Sequence, residues 1–121
     1  MTLALGALLV AVPVAEPPPR EWYGWQTATA DVAAGALFVG GWAADEDLPA
    51  AFAAVLYVSG GPIVHGGHGQ LGQALASLGL RLVLPFLGGL VADIAHGDRR
   101  IGLLAGAVPA AATDAIVLAW E

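Results

Sequence analysis

The sequence predicts an all-α protein, a transmembrane helical bundle of four spans after a signal-like N-terminal apolar segment. Three observations predict it. Hydrophobic residues fill 58% of the 121 positions and charged residues 12%, with a mean hydropathy of +0.75, whereas soluble domains run at roughly 45–50% apolar and about 25% charged. The charges gather at Glu16 to Glu21, Asp45 to Asp47, Asp93 to Arg100 and Glu121. The apolar runs between them approach the ~20 residues that a helix needs to cross hydrocarbon.

Residues 1–15 are uncharged and give way abruptly to Glu16 and three prolines. This is the outline of a signal peptide, although no Lys or Arg precedes the apolar core; the other reading is a short first helix that stays attached. Residues 16–26 are expected to form an extended spacer on the outer side, because Pro17, Pro18 and Pro19 fix φ and lack N–H groups. Trp22, Tyr23 and Trp25 then read as an aromatic belt at the headgroup level.

Residues 27–121 are the expected four-helix domain. Thr27 to Ala44 makes the first span, with Asp31 as its one charge and Trp42 at the opposite interface. Leu48 to Val64 makes the second, interrupted near its end by Gly60, Gly61 and Pro62, so that end should face protein or a wet cavity. A turn carrying His65 and His68 follows. Gly69 to Ala92 is the third span, with Arg81 its only charge and a kink expected at Pro85. Ile101 to Ala119 closes the chain, and Gly102, Gly106, Ala110 and Asp114 give this last helix one small face, which is the pattern of a close packing seam or a self-association surface.

The composition removes several functions. Ten acids face four arginines and no lysine, for a formal charge of −6, which leaves nothing to build a nucleic-acid surface from. No cysteine is present, so disulfides and thiolate chemistry are absent. No H-E-x-x-H, G-x-S-x-G or Walker lysine occurs, and no cofactor signature is found. Ser59, beside Gly60 and Gly61 and near His65, can be imagined as a nucleophile with a base, but the spacing alone does not support that role.

The polar groups inside the spans are few. Gln70, Gln73, Ser77 and Arg81 recur at intervals of three and four, a single helical face. A charge at mid-membrane costs about 2.5–3.5 kcal/mol on insertion scales and must find a partner. Asp31 and Asp114 are the only acids within spans, so an intramembrane polar cluster of Asp31, Gln73, Ser77, Arg81 and Asp114 is expected. His65 and His68 are candidate binding residues. As an H-x-x-H pair they are also the only metal-ligand candidates, and they would need Asp31, Asp114 or His96 to complete a site.

Orientation rests on Arg99 and Arg100 in one loop against Arg20 on the other side, which puts the Arg99–Arg100 loop in the cytoplasm and both residues 16–26 and the His65 to His68 turn outside.

The chain resembles a family of small, uncharacterised bacterial multi-pass membrane proteins. The shared features are a W-Y-G-W-Q segment, here Trp22 to Gln26, followed by Asp31; a P-x-x-H-x-x-H-G turn, here Pro62, His65, His68 and Gly69; and a helix with an internal Arg81 and Pro85. The resemblance implies a bacterial envelope protein of the inner membrane and brings no activity with it.

Two functions follow as expectations. The first is a non-enzymatic membrane protein whose partners are the lipid bilayer and a second copy or another membrane protein, with the Arg-Asp cluster organising its bundle. The alternative is a protein that binds or transports a small solute, proton or metal through an outward-facing polar pocket at Asp31, His65, His68, Arg81 and Asp114.

Overall fold

The computed structural model describes residues 19–121. The signal-like segment 1–15 and the first spacer positions 16–18 lie outside the described residues. Four helices follow one another: α1 Gly24–Ala44, α2 Asp47–Gly67, α3 Leu71–Ile94 and α4 Arg99–Thr113, the last continuing into a π-helical turn, Asp114–Leu118. No strand forms among the described residues; an isolated antiparallel bridge joins Trp22 to Trp120.

α2, α3 and the continuous stretch Arg99–Leu118 are long and apolar enough to cross a membrane. α1 matches α2 at 21 residues, but Asp31 and its many small residues make it less apolar.

The helix boundaries differ from expectation at both ends of the first hairpin. α1 begins at Gly24, so the extended spacer stops earlier than residue 26. The cause lies at the other end of the chain: Glu21 N–H donates to Glu121 O at 2.8 Å, Glu121 N–H to Glu21 O at 3.0 Å, and Tyr23 N–H to Ala119 O at 3.1 Å. α2 runs unbroken through Gly60, Gly61 and Pro62 to Gly67. His65 is therefore helical, and the turn to α3 is confined to His68, Gly69 and Gln70, with Gly69 at φ 73°. α3 likewise continues through Pro85.

The tight ends have local causes. Asp45 takes the left-handed conformation at φ 56° and closes α1, with Glu46 N–H returning to Gly41 O at 2.8 Å. Asp98 caps α4 by accepting from Arg100 N–H at 2.7 Å, satisfying one of the donors that a helix start leaves open.

α1 packs chiefly on α2 and α3 on α4, and α2 joins the two hairpins against α3. The α3–α4 seam is backbone against backbone: a Cβ on Gly106 would meet Leu84 O, and one on Gly88 would meet Gly102 O. The small residues that suggested a self-association face are thus engaged inside the chain.

The packing is inverted relative to a water-soluble bundle. The largest fully buried side chains are Arg81, His65, Thr27, Asp114 and Ser77, while Val32, Phe52, Val55, Ile63, Leu71, Leu75 and Phe86 are exposed. Trp22, Trp25 and Trp120 lie toward the end where α1 starts and α4 finishes. Trp42 lies toward the other, with the Arg100 guanidinium 5.7 Å from its ring centre.

Candidate functional site

The buried polar residues form one connected centre. Arg81, brought inward by α3, ion-pairs with Asp31 of α1 and with Asp114 at the start of the π-turn. Its Nε–H is shared between Ser77 Oγ at 3.1 Å and Asp114 Oδ2 at 2.9 Å. Nη1 donates to Asp31 Oδ1 and to Tyr57 O of α2, the latter at 2.7 Å. Nη2 donates to Asp31 Oδ2 at 2.9 Å and to Asp114 Oδ2. All five guanidinium N–H groups are thereby used, and the partners come from all four helical elements.

Asp114 is shared on its other side. Ser77 Oγ–H donates to Oδ2 at 2.9 Å, and His65 Nε2 lies 2.6 Å from Oδ1. Because a carboxylate only accepts, Nε2 carries a proton in this bond. The Tyr23 hydroxyl lies 2.8 Å from Nδ1 and hydrogen-bonds to it. Burial raises the Tyr23 phenol above its ordinary pKa, with the charges of Glu121 and Asp114 adding to the effect, so it keeps its proton. The result is a continuous path of polar contacts, Tyr23 to His65 to Asp114 to Arg81 to Asp31. Among the described residues no buried side-chain polar atom lacks a partner.

Local sequence explains how these side chains converge. On α2, Tyr57, Gly61 and His65 are spaced by four and share one face. Gly61 has no side chain because the centre fills that space: a Cβ there would stand 2.5 Å from both Arg81 Nε and Ser77 Oγ. Asp114 opens a π-turn, in which the hydrogen-bond step lengthens by one residue. Trp22 Nε1–H answers Ala115 O and Trp120 Nε1–H answers Ile116 O, both at 2.8 Å.

Of the residues named from sequence, Asp31, Ser77, Arg81 and Asp114 come together, and both acids rather than one bind the arginine. Gln73 lies one turn before Ser77 on α3 and takes no part in these bonds. His65 belongs to the centre. His68 does not: it stacks on Tyr23 with centroids 3.9 Å apart, and its ring nitrogens meet Glu121 Oε1 at 3.0 Å and Gln26 Oε1 at 3.3 Å. The two histidines are thus separated by the Tyr23 ring instead of facing a common ligand. Among the described residues no group of three or more His, Asp and Glu side chains is arranged to hold a metal. Ser59 donates back to Val55 O at 2.7 Å and lies apart from the centre.

Two participants were not legible beforehand. Tyr23 reads as a belt residue beside Trp22 and Trp25, yet it is 3% exposed whereas they are 48% and 59% exposed. Tyr57 contributes a backbone carbonyl; its hydroxyl donates to Ala107 O of α4 at 3.2 Å, and its ring lies under Arg81 at 5.0 Å. The spacing of four from Tyr57 through Gly61 to His65 is the signal that points to this face.

A cavity of about 530 Å³ lies beside the centre, on the side of Arg81 toward the α1–α2 and α3–α4 loops and away from His65. Asp31, Arg81 and Tyr57 form its polar end, and its walls are apolar, from Phe38, Ala53, Pro85, Leu104 and neighbours.

No protein-family model, curated protein or solved structure matches this chain.

Proposed function

We propose that this chain is a non-enzymatic integral membrane protein of four spans, in which the centre around Arg81 locks the helices in register. One observation carries the reading: the largest buried side chains are polar and the largest apolar ones face outward. In water that distribution loses hydrophobic burial and desolvates charge at once. In a bilayer hydrocarbon covers the apolar exterior, and intramembrane charges turn to the bundle interior to find partners.

α1 is the fourth span. Its Asp31 would be stranded in hydrocarbon without Arg81, and Arg81 would be stranded without Asp31 and Asp114, so a shifted register leaves an unpaired charge in low dielectric. The aromatic residues toward both ends support two membrane interfaces. We place the protein in a bacterial plasma membrane within the small multi-pass family it resembles, with residues 16–26 and the His65–His68 end outside and the Arg99–Arg100 loop cytoplasmic.

The test compares single and concerted changes. Arg81→Met should lower stability in detergent by about 3–5 kcal/mol, the usual cost of removing one partner of a buried pair. Adding Asp31→Asn and Asp114→Asn should recover most of it. A thermal melt of Arg81→Met equal to the parent's would refute the lock. Because the chain has no cysteine, single cysteines at Arg20 and Ala44 can report by membrane-impermeant labelling whether α1 crosses. Labelling of both from one side would refute the fourth span.

A further inference from the structure

The cavity beside Asp31 has a donor and acceptor balance that restricts what can enter it. Arg81 offers no free N–H, because Asp31, Asp114, Ser77 and Tyr57 O already take them all. The Tyr57 hydroxyl is engaged with Ala107 O. Nothing at the polar end has a hydrogen left to give. Asp31 differs: each of its oxygens accepts one bond from Arg81, while a carboxylate has about four lone-pair sites. Its side chain remains 11% exposed while that of Asp114 is fully buried.

Charge points the same way. Of the centre's two carboxylates only Asp31 lines the cavity. The negative member of the Arg81–Asp31 pair is thus the one with bonding capacity left on the cavity side. The volume, about 530 Å³, falls within the ~300–1,000 Å³ of small-molecule sites. Val32, Leu82, Phe86 and Val108 line it and are themselves exposed on the bundle's outer surface, so it opens sideways between helices.

We infer that this cavity binds a lipophilic amine in its ammonium form, with the apolar body against Phe38, Ala53, Pro85 and Leu104 and the N–H donors on Asp31. The ammonium supplies the donor that the site lacks and a charge opposite to that of Asp31. Fatty carboxylates and phosphates find no donor and meet like charge. Quinones, esters and ketones, which only accept, find no donor either. The inference goes beyond the lock and rests on the membrane reading only for the route of entry, through lipid.

The experiment uses the purified chain in a non-ionic detergent with three probes that share one tail: decylamine, decanol and decanoate. Thermal shift and saturation-transfer NMR report binding. Decylamine is expected to bind saturably and about tenfold or more tighter than decanol, since a bond between charged partners exceeds a neutral one by that order; decanoate is expected not to bind. Gly35 lines the cavity, and a Cβ there meets nothing within 4 Å, so Gly35→Leu should fill the space and abolish the decylamine response without touching the polar centre. Equal responses to all three probes, preference for decanoate, no response to decylamine, or a Gly35→Leu protein that still binds would each overturn the inference. The probe comparison on the unaltered chain decides even if Gly35→Leu fails to accumulate. Failure here leaves the Arg81→Met melt unaffected, so the two readings fail separately.

Discussion

His65 Nε2 lies 2.6 Å from Asp114 Oδ1, and both side chains are fully buried. That bond joins α2 to the end of α4 and sets the other ring nitrogen against the Tyr23 hydroxyl. The three groups act as one unit, and each should be sensitive to loss of the next.

His65→Ala would leave an Asp114 lone pair and the Tyr23 hydroxyl unpaired inside the bundle, besides a void. A loss of about 3 kcal/mol is expected, because each orphaned buried group costs about 1–3 kcal/mol. Thermal or chemical unfolding in detergent checks this. A variant as stable as the parent would mean that the contact carries no energy.

Tyr23→Phe removes only the hydroxyl and keeps the ring stacked on His68. The expected cost is about 1 kcal/mol, smaller than that of His65→Ala, and the double variant should be less destabilised than the sum. Additivity of the two losses would contradict the shared bond.

The same residue sets an alkaline limit. The folded-state phenol titrates above its ordinary value of 10.0, so the folded protein holds the proton more tightly than the unfolded one. The stabilisation is complete below pH ~10 and is lost as pH rises through the folded-state value. Melting temperature should accordingly fall above pH ~10, and Tyr23→Phe should flatten that fall. An unchanged alkaline slope in the variant would assign it to other groups.

Glycines separate by what surrounds them. At Gly61 an added methyl group collides with Asp114, Arg81 and Ser77, whereas at Gly79 it meets nothing within 4 Å. Gly61→Ala should destabilise by about 1–3 kcal/mol as an overpacked core does, and Gly79→Ala should be neutral or stabilise by up to about 1 kcal/mol through helix propensity. Denaturant titration of the two variants side by side makes the comparison; equal behaviour would contradict the packing around Gly61.

Ser59→Ala should change nothing measurable in stability. Its hydroxyl bonds only to Val55 O on its own helix, an arrangement close to neutral for the helix. A loss beyond about 1 kcal/mol on unfolding would assign Ser59 a contact outside its helix.

Much of the fold is legible in the chain because its apolar runs, set off by charge clusters, are each long enough to satisfy their backbone within one helix. Gly60, Gly61 and Pro62 weaken a helix taken by itself, but Gly60 packs against Ala30, Gly61 leaves room for the Arg81 centre, and α2 continues past them. The turn assigned to His65 fails for the same reason.

Residue order alone indicated that Arg81 needed an acid and that Asp31 and Asp114 were the only acids within the apolar runs, because a lone charge in an apolar interior has few remedies. That both acids bind it, that Gln73 does not take part, and that Tyr23 and His65 extend the centre comes from the packing of the folded chain. Helical periodicity says which residues share a face. Which faces meet depends on contacts between segments far apart in the chain, such as the pairing of Glu21 with Glu121 that draws Tyr23 inward.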